Sequence, residues 1–168
     1  MSFVKLLDKS QYVRVGVRFA NYDEFKRRDG EHESYLVKVY SQEDGKDYTV
    51  GIIQESAILM NLTHKAVIKY YGTFLASEVG GKSGIVMDFM DMSLEQAIGQ
   101  AWFNDTMKSI VVAGIAFAMK EIHKMNITHR KLEPRSILLN KNHHPFIANF
   151  ESCEIDMDTM QDVVGTTR

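Results

Sequence analysis

The side chains best suited to chemistry gather between Thr128 and Glu151. The run Thr128-His129-Arg130-Lys131-Leu132-Glu133-Pro134-Arg135-Ser136 holds an imidazole, an ammonium and a carboxylate, and Asn149-Phe150-Glu151 adds an amide and a second carboxylate. An imidazole beside a guanidinium suits general acid–base work. Lys38 and Glu55 add a further ammonium and carboxylate in the N-terminal half. His143-His144 stands before Pro145 in a turn with no cysteine or spaced carboxylates nearby, so it reads as a solvated turn and no metal site is expected there.

The elements that must position these groups fit one ordinary domain. A chain of 168 residues, 45% hydrophobic and 25% charged, buries enough surface for a core without disulfide or metal. Its 20 basic and 22 acidic residues give a net charge of -2, which offers no field for nucleic acid or an anionic membrane. Cys153 is the only cysteine, so no intrachain disulfide can form and a reduced, cytoplasmic setting is expected. Met1 to Ser10 lacks the apolar run of a signal peptide, and Ile110 to Met119 is too short to span a bilayer.

Alternation predicts strands over Tyr12 to Val17 and Tyr35 to Tyr40, then a turn at Gln42-Glu43-Asp44-Gly45 and a third strand over Asp47 to Ile53. Asn21 to Glu33 is polar and reads as a solvated turn. Glu55 to Leu62 takes helical spacing, and Val67 to Phe74 and Ile85 to Phe89 complete five strands, linked by a turn at Val79-Gly80-Gly81. Ser93 caps a short helix, and Asn104 or Asp105 caps a long one reaching His123, with Ile110, Ala113, Gly114, Phe117 and Ile122 as its core stripe.

The segment from His129 to Leu139 resembles the catalytic loop H-R-D-L-x-x-x-x-N of the protein kinase superfamily, of its tyrosine-kinase-like or Ser/Thr branch, and Asn149-Phe150-Glu151 resembles D-F-G. The resemblance covers nearly the whole chain. It implies an α+β protein-kinase-like fold: a five-stranded antiparallel N-lobe sheet with a shortened helix C, and an incomplete helical C-lobe. A single domain over 1–168 would divide into an N-lobe and hinge at about 1–90 and a partial C-lobe at 91–168. The polar stretch from Glu151 to Asp162 resembles an activation segment and Val164-Gly165-Thr166 its far end, so the domain reads as truncated there.

In the family the loop Asp accepts the substrate proton, and the loop Asn and the D-F-G Asp hold Mg²⁺. By resemblance Lys131 stands at the first position, Ser136 at the second and Asn149 at the third, while Glu133 stands where many relatives carry a phosphate-contacting Lys. Aligning Tyr35-Leu36-Val37 after the glycine loop places Arg27, Asp29 and His32 at its glycines and Ser34 at its valine. The following strand then puts Gly51 at the phosphate-gripping Lys and Thr49 against adenine, with Glu55 as an unpartnered, solvated helix carboxylate. Met87, Asp88 and Met90 resemble the hinge; with Thr49 and Leu138 they outline a residual adenine pocket. Leu59, Tyr70, His129 and Phe150 match the family's stacked internal column.

These degenerate positions imply no catalytic residue, no metal and no required cofactor, with weak ATP binding without Mg²⁺ as the most that survives. The implied function is a pseudokinase that binds a protein partner, a kinase among the candidates, in signalling, with no nucleic acid or membrane involved. Two alternatives stay open: an atypical ATP-binding Ser/Thr or Tyr kinase with displaced groups at Lys38, Glu55 and Glu151, and a non-functional kinase fragment.

Overall fold

The computed structural model describes residues 4–29, 34–41, 48–76 and 81–155. The expected turns at Gln42 to Gly45 and around Val79-Gly80, the position of His32, and the segment from Asp156 onward lie outside the described residues.

Five strands form an antiparallel sheet in the order β1-β2-β3-β5-β4, made of β1 (Tyr12–Phe19), β2 (Tyr22–Arg27), β3 (Ser34–Ser41), β4 (Tyr70–Phe74) and β5 (Lys82–Asp88). The strand count agrees with the sequence expectation, but the membership differs. The polar segment after Asn21 contains β2, and the expected third strand over Asp47 to Ile53 is instead the start of helix α1 (Thr49–Asn61). In β2 the charged residues are neutralised across the ladder. Asp23 accepts from Arg14 Nε at 2.5 Å and Glu24 accepts from Ser34 Oγ at 2.7 Å, while Tyr22 and Phe25 are buried.

β-Branched residues at Thr49, Val50, Ile52 and Ile53 favour a strand by local propensity. Tertiary burial overrides it, because a helix places Ile52, Glu55, Ser56 and Leu59 on one buried face. Ser56 Oγ and Thr73 Oγ1, 2.6 Å apart, fasten that face to β4. The helix is 13 residues long. The shortening expected from the interval between Gly51 and Glu55 loses its basis, since both residues lie within α1.

The sheet separates two apolar layers. Phe25, Tyr35, Val37, Phe74 and Val86 pack on one face. Leu36, Ile85 and Met87 point the other way, into the main core with α1 and the C-terminal half. Alternation along β3 therefore sends Leu36 and Lys38 to the inner side.

After Asp88 the chain forms β6 (Met92–Ser93), α2 (Leu94–Ala97), α3 (Asp105–Lys124), β7 (Ile127–Thr128), β8 (Ile137–Leu139), β9 (Pro145–Ile147) and β10 (Glu154–Ile155). Ser93 and Gln96 make a capping box, and the Asn104 side chain accepts from Met107 N–H, so both expected caps form. Asn126, at φ 56°, follows the end of α3 in a left-handed conformation that asparagine tolerates.

The buried stripe of α3 is Val111, Ala118 and Ile122. Ile110 and Phe117, expected in it, are 45% and 44% exposed. The helix turns Gly114 toward β9 instead, where an added Cβ would sit 2.6 Å from Pro145 Cγ. No helix among the described residues is long and apolar enough to cross a membrane.

Candidate functional site

Lys38 is the centre of the site. It stands on β3 between Tyr22 of β2 and Ile85 of β5, and its side chain is 1% exposed. An ammonium has three protons to donate. They go to Glu55 Oε2 at 2.8 Å, Asn149 Oδ1 at 2.5 Å and Glu151 Oε2 at 3.1 Å.

Glu55 is fully buried rather than solvated, and both its oxygens are engaged. Oε2 accepts from Lys38 and from the Tyr40 hydroxyl, and Oε1 accepts from the Phe150 N–H at 3.0 Å. Burial, then the negative charge and hydrogen bond of Glu55, raise the Tyr40 pKa and keep the phenol a donor.

The strand lysine and helix carboxylate of a kinase are thus both present, as Lys38 and Glu55. Gly51 takes no part, because it lies in the first half of α1 with open space where its Cβ would be. Thr49 opens the same helix and does not lie on the strand that would face an adenine. Arg27 and Ser34 likewise end β2 and begin β3, so with Asp29 they border the β2–β3 connection. The hairpin between β1 and β2 turns at Ala20-Asn21, with Ala20 at φ 46°.

Three substituted positions meet in a closed ring with Lys38 and Glu151. Asn149 accepts from Lys38, and its Nδ2 donates to Ser136 Oγ at 3.3 Å. Ser136 Oγ donates to the Lys131 carbonyl at 2.8 Å, and Lys131 Nζ donates to Glu151 Oε1 at 2.6 Å. Glu151 Oε2 returns to Lys38. Asn149 adopts a left-handed conformation, φ 65° and ψ 61°, which puts its amide between Lys38 and Ser136.

Burial opposes ionisation of Glu151, but the Lys131 and Lys38 ammoniums outweigh it and hold its pKa below the ordinary carboxylate value. The Glu151 hydrogen bond raises the Lys131 pKa in return. Lys38, Lys131, Glu55 and Glu151 sum to zero formal charge. Glu133 stands apart and faces Arg135 Nε at 3.4 Å.

A divalent cation fits these donors poorly. The groups at the two metal positions are an amide and a hydroxyl, and the neighbouring Glu151 carboxylate is already shared by two ammoniums. Hard dications are held by carboxylate-rich oxygen shells, and nearby cations repel them. Among the described residues no cluster of three His, Cys, Asp or Glu side chains could supply such a shell.

His129 is occupied as well. Its Nδ1 accepts from Lys131 N–H at 3.3 Å, which leaves Nε2–H to donate to the Ala148 carbonyl at 3.0 Å. Burial lowers its pKa, and its ring meets Phe150 edge-on at 5.0 Å. With both nitrogens bonded to backbone, the imidazole orients the loop and has no free lone pair for a proton.

Two buried aromatic side chains of the sheet stand near the ring. Phe19 and Tyr22, whose rings lie 5.3 Å apart, flank the β1–β2 turn and are 9% and 3% exposed. Tyr22 is the cross-strand neighbour of Lys38, and burial, then the charges of Glu55 and Glu151, raise its pKa. Met87, Met90, Leu138 and Ala148 are each at most 2% exposed and share one core with Phe19 and Tyr22. Asp88 accepts from the Tyr71 hydroxyl at 2.7 Å. Arg18 closes the outer edge, with its guanidinium 4.8 Å from the Phe89 ring centre and 3.3 Å from the Asp91 carbonyl.

The structure places Lys131, Ser136 and Asn149 together, and it moves Lys38 from the alternative reading to the centre of the site, where nothing in the sequence pointed to Tyr22 or to the bridging role of Glu151. The signal for Lys38 was the interval to Glu55. Glu55 follows Gly51 by too few residues for a strand lysine and its helix carboxylate, whereas Lys38 leaves room for a loop and the first turns of α1.

Comparison with known proteins agrees with this geometry. Residues 24–168 match the protein kinase domain family. The chain is 26% identical over 131 residues to a probable serine/threonine protein kinase of Arabidopsis thaliana, covering 74% of this chain and 11% of that protein. It is 27% identical over 141 residues to mitogen-activated protein kinase kinase 9 of A. thaliana, covering 80% and 44%. It is 28% identical over 116 residues to cAMP-dependent protein kinase type 3 of Saccharomyces cerevisiae, covering 67% and 28%. The chain therefore spans less than half the length of each of these relatives. With the paired Lys38 and Glu55, the five-stranded sheet and the loop from His129 to Ser136, the chain belongs to the protein kinase domain family.

Proposed function

We propose that this domain does not transfer phosphate and acts in signalling as a protein-binding, regulatory pseudokinase. The observation that carries this reading is the closed ring through Lys38, Asn149, Ser136, Lys131 and Glu151. Each group at a metal or proton-transfer position is committed to a neighbour within the protein. Lys131 places an ammonium where a proton acceptor would be needed, and general-base catalysis is worth about 10² to 10⁴ in rate. The metal positions retain no free carboxylate.

The partner is proposed to be another protein, with a kinase as the first candidate. The paired Lys38 and Glu55 hold α1 against the sheet. Exposed apolar side chains on α3, Val112 at 65% and Phe117 at 44%, offer contact area to such a partner.

A second reading is favoured by one specific observation. The intact Lys38–Glu55 pair is the part of the kinase machinery that grips nucleotide phosphates, so an atypical ATP-dependent transferase would retain it. Phosphate transfer from γ-labelled ATP to the chain itself and to a generic protein substrate, with Mg²⁺ or Mn²⁺, separates the two. The pseudokinase reading expects no transfer above a Lys38→Met control and no Mg²⁺-dependent rise in melting temperature with ATP. Metal-dependent transfer that Lys38→Met abolishes would establish the transferase reading.

A further inference from the structure

A cavity of about 520 Å³ lies away from the Lys38 ring, between the end of α1, the start of β4, the end of β5 and β9. Its floor is apolar, with Leu59, Leu62 and Val67 buried and Phe146 half-buried. Its rim is cationic. Lys5 is fixed there by pairing with β4, where the Thr73 N–H donates to the Lys5 carbonyl at 2.8 Å. Lys69 Nζ lies 4.6 Å from the Tyr71 ring centre, and Lys65 Nζ lies 5.3 Å from that of Phe117. The one carboxylate among the described lining residues, Asp88, accepts from the Tyr71 hydroxyl at 2.7 Å. Among the described residues no carboxylate lies within ion-pair distance of Lys5, Lys65 or Lys69. Three ammoniums against one carboxylate give the rim a formal charge of +2 on a chain whose net charge is -2.

We infer that this cavity docks an acidic segment of the partner protein, which seats one apolar side chain on Leu59, Leu62 and Val67 and pairs its carboxylates with Lys5, Lys65 and Lys69. The inference deepens the protein-binding reading above and rests on it. Exposed lysines are ordinary, but three gathered around an apolar hollow with no acid to balance them draw negative charge to that place. The floor decides which anion fits. A nucleic acid strand binds through a row of phosphates, and three lysines around a hollow do not line such a path. A peptide fills the hollow with an aliphatic or aromatic side chain and sets its carboxylates on the rim. Phe117, 44% exposed and with its ring 5.1 Å from that of the lining residue His64, extends the apolar surface beyond the edge of the cavity. The lysines then govern partner choice and encounter rate, and the seated side chain governs residence.

The test selects peptides from a random library displayed on phage against the immobilised full chain, in EDTA and without nucleotide. Enriched peptides are expected to carry Glu or Asp on both sides of a Leu, Phe or Trp. Made with a fluorophore and titrated by anisotropy, they should lose affinity about tenfold or more in Lys65→Glu/Lys69→Glu and weaken as salt rises. Thr63→Trp, at an exposed position of the lining, fills the cavity without touching a lysine and should weaken them to a similar degree. If either variant does not melt cooperatively, Lys65→Gln/Lys69→Gln or Thr63→Phe serves with the same expectation. Absence of enrichment, enriched peptides without acidic residues, unchanged affinity in either variant, or displacement by single-stranded oligothymidylate at equal charge concentration overturns the inference. That failure leaves the inactive-domain reading standing, because metal-dependent phosphate transfer tests that reading separately.

Discussion

Replacing Lys38 with methionine tests whether the buried ion pair organises the domain. The substitution keeps most of the side-chain volume and removes the ammonium, so the effect isolates the charge. Glu55, fully buried, then keeps two of its donors, the Tyr40 hydroxyl and the Phe150 N–H, and loses the countercharge. Breaking a buried pair from one side costs about 3–5 kcal/mol. The two remaining donors put the expectation at the lower end, about 3 kcal/mol.

For a domain of this size each kcal/mol moves the melting temperature by about 2–4 °C, so Lys38→Met should melt roughly 6–12 °C below wild type. Urea unfolding followed by circular dichroism measures the same loss as a shift in midpoint at unchanged slope. The double variant Lys38→Met/Glu55→Gln leaves no unpaired buried charge and should recover at least half of the loss. Lys131→Ala is the internal contrast: its partner Glu151 is 33% exposed and Lys131 itself 41%, so solvent screening holds that cost to about 1 kcal/mol or less. A Lys38→Met loss below about 1 kcal/mol, or a double variant as unstable as the single, would refute the reasoning.

The remaining expectations concern titration. Because its folded pKa is depressed, Glu151 contributes stability that is present above the ordinary carboxylate pKa and is lost as pH falls through the folded value. Urea midpoints from about pH 6 down to pH 3 should therefore decline less steeply in Glu151→Gln than in wild type, and parallel curves would count against the ionic bridge. Burial pushes the Cys153 thiol up to about 12. At pH 8 the native chain should react with a disulfide reagent roughly 10³ times more slowly than a free cysteine, and the urea-unfolded chain at the free rate; rapid reaction of the native thiol would contradict its burial.

The catalytic-loop region was legible because its information is contiguous. His129, Arg130, Lys131, Pro134 and Ser136 lie within one short run, and the structure keeps them in one tight turn anchored by Ser136 and the Lys131 carbonyl. The N-lobe chemistry was not, because strand identity there depends on pairing across the chain. Asp23 and Glu24 make β2 look like a surface loop until Arg14 and Ser34 are seen opposite them. Missing that strand put Tyr35 to Tyr40 second instead of third and left a third strand to be found at Asp47 to Ile53, while the last two strands kept their places. The β-branched start of α1 then passed for the lysine-bearing strand, and Lys38 entered only through the alternative with displaced groups.

The same error changed the chemical picture in a physically instructive way. With Gly51 at the lysine position the site would have lost its cation and Glu55 its reason to be buried. With Lys38 there, the substitutions at Lys131, Ser136 and Asn149 acquire a common logic. Lys38 and Glu55 already balance each other, so the ammonium that needs a countercharge is Lys131. Glu151 supplies one missing negative charge from within the chain, and Lys131 balances it. Tyr22 and Phe19 are buried on the Lys38 side, where low access to water strengthens the Lys38 to Asn149 hydrogen bond, while the Lys131 to Glu151 bond stays partly exposed. The substituted residues therefore depend on one another. Restoring the acid at Lys131 alone would place a carboxylate beside Glu151 with only Lys38 to share, and like charges at that separation disfavour ionisation of one of them. On the inactive-domain reading proposed above, gaining a carboxylate-rich metal shell would require removing Glu151 together with changing Lys131 and Asn149, so no single substitution would be enough.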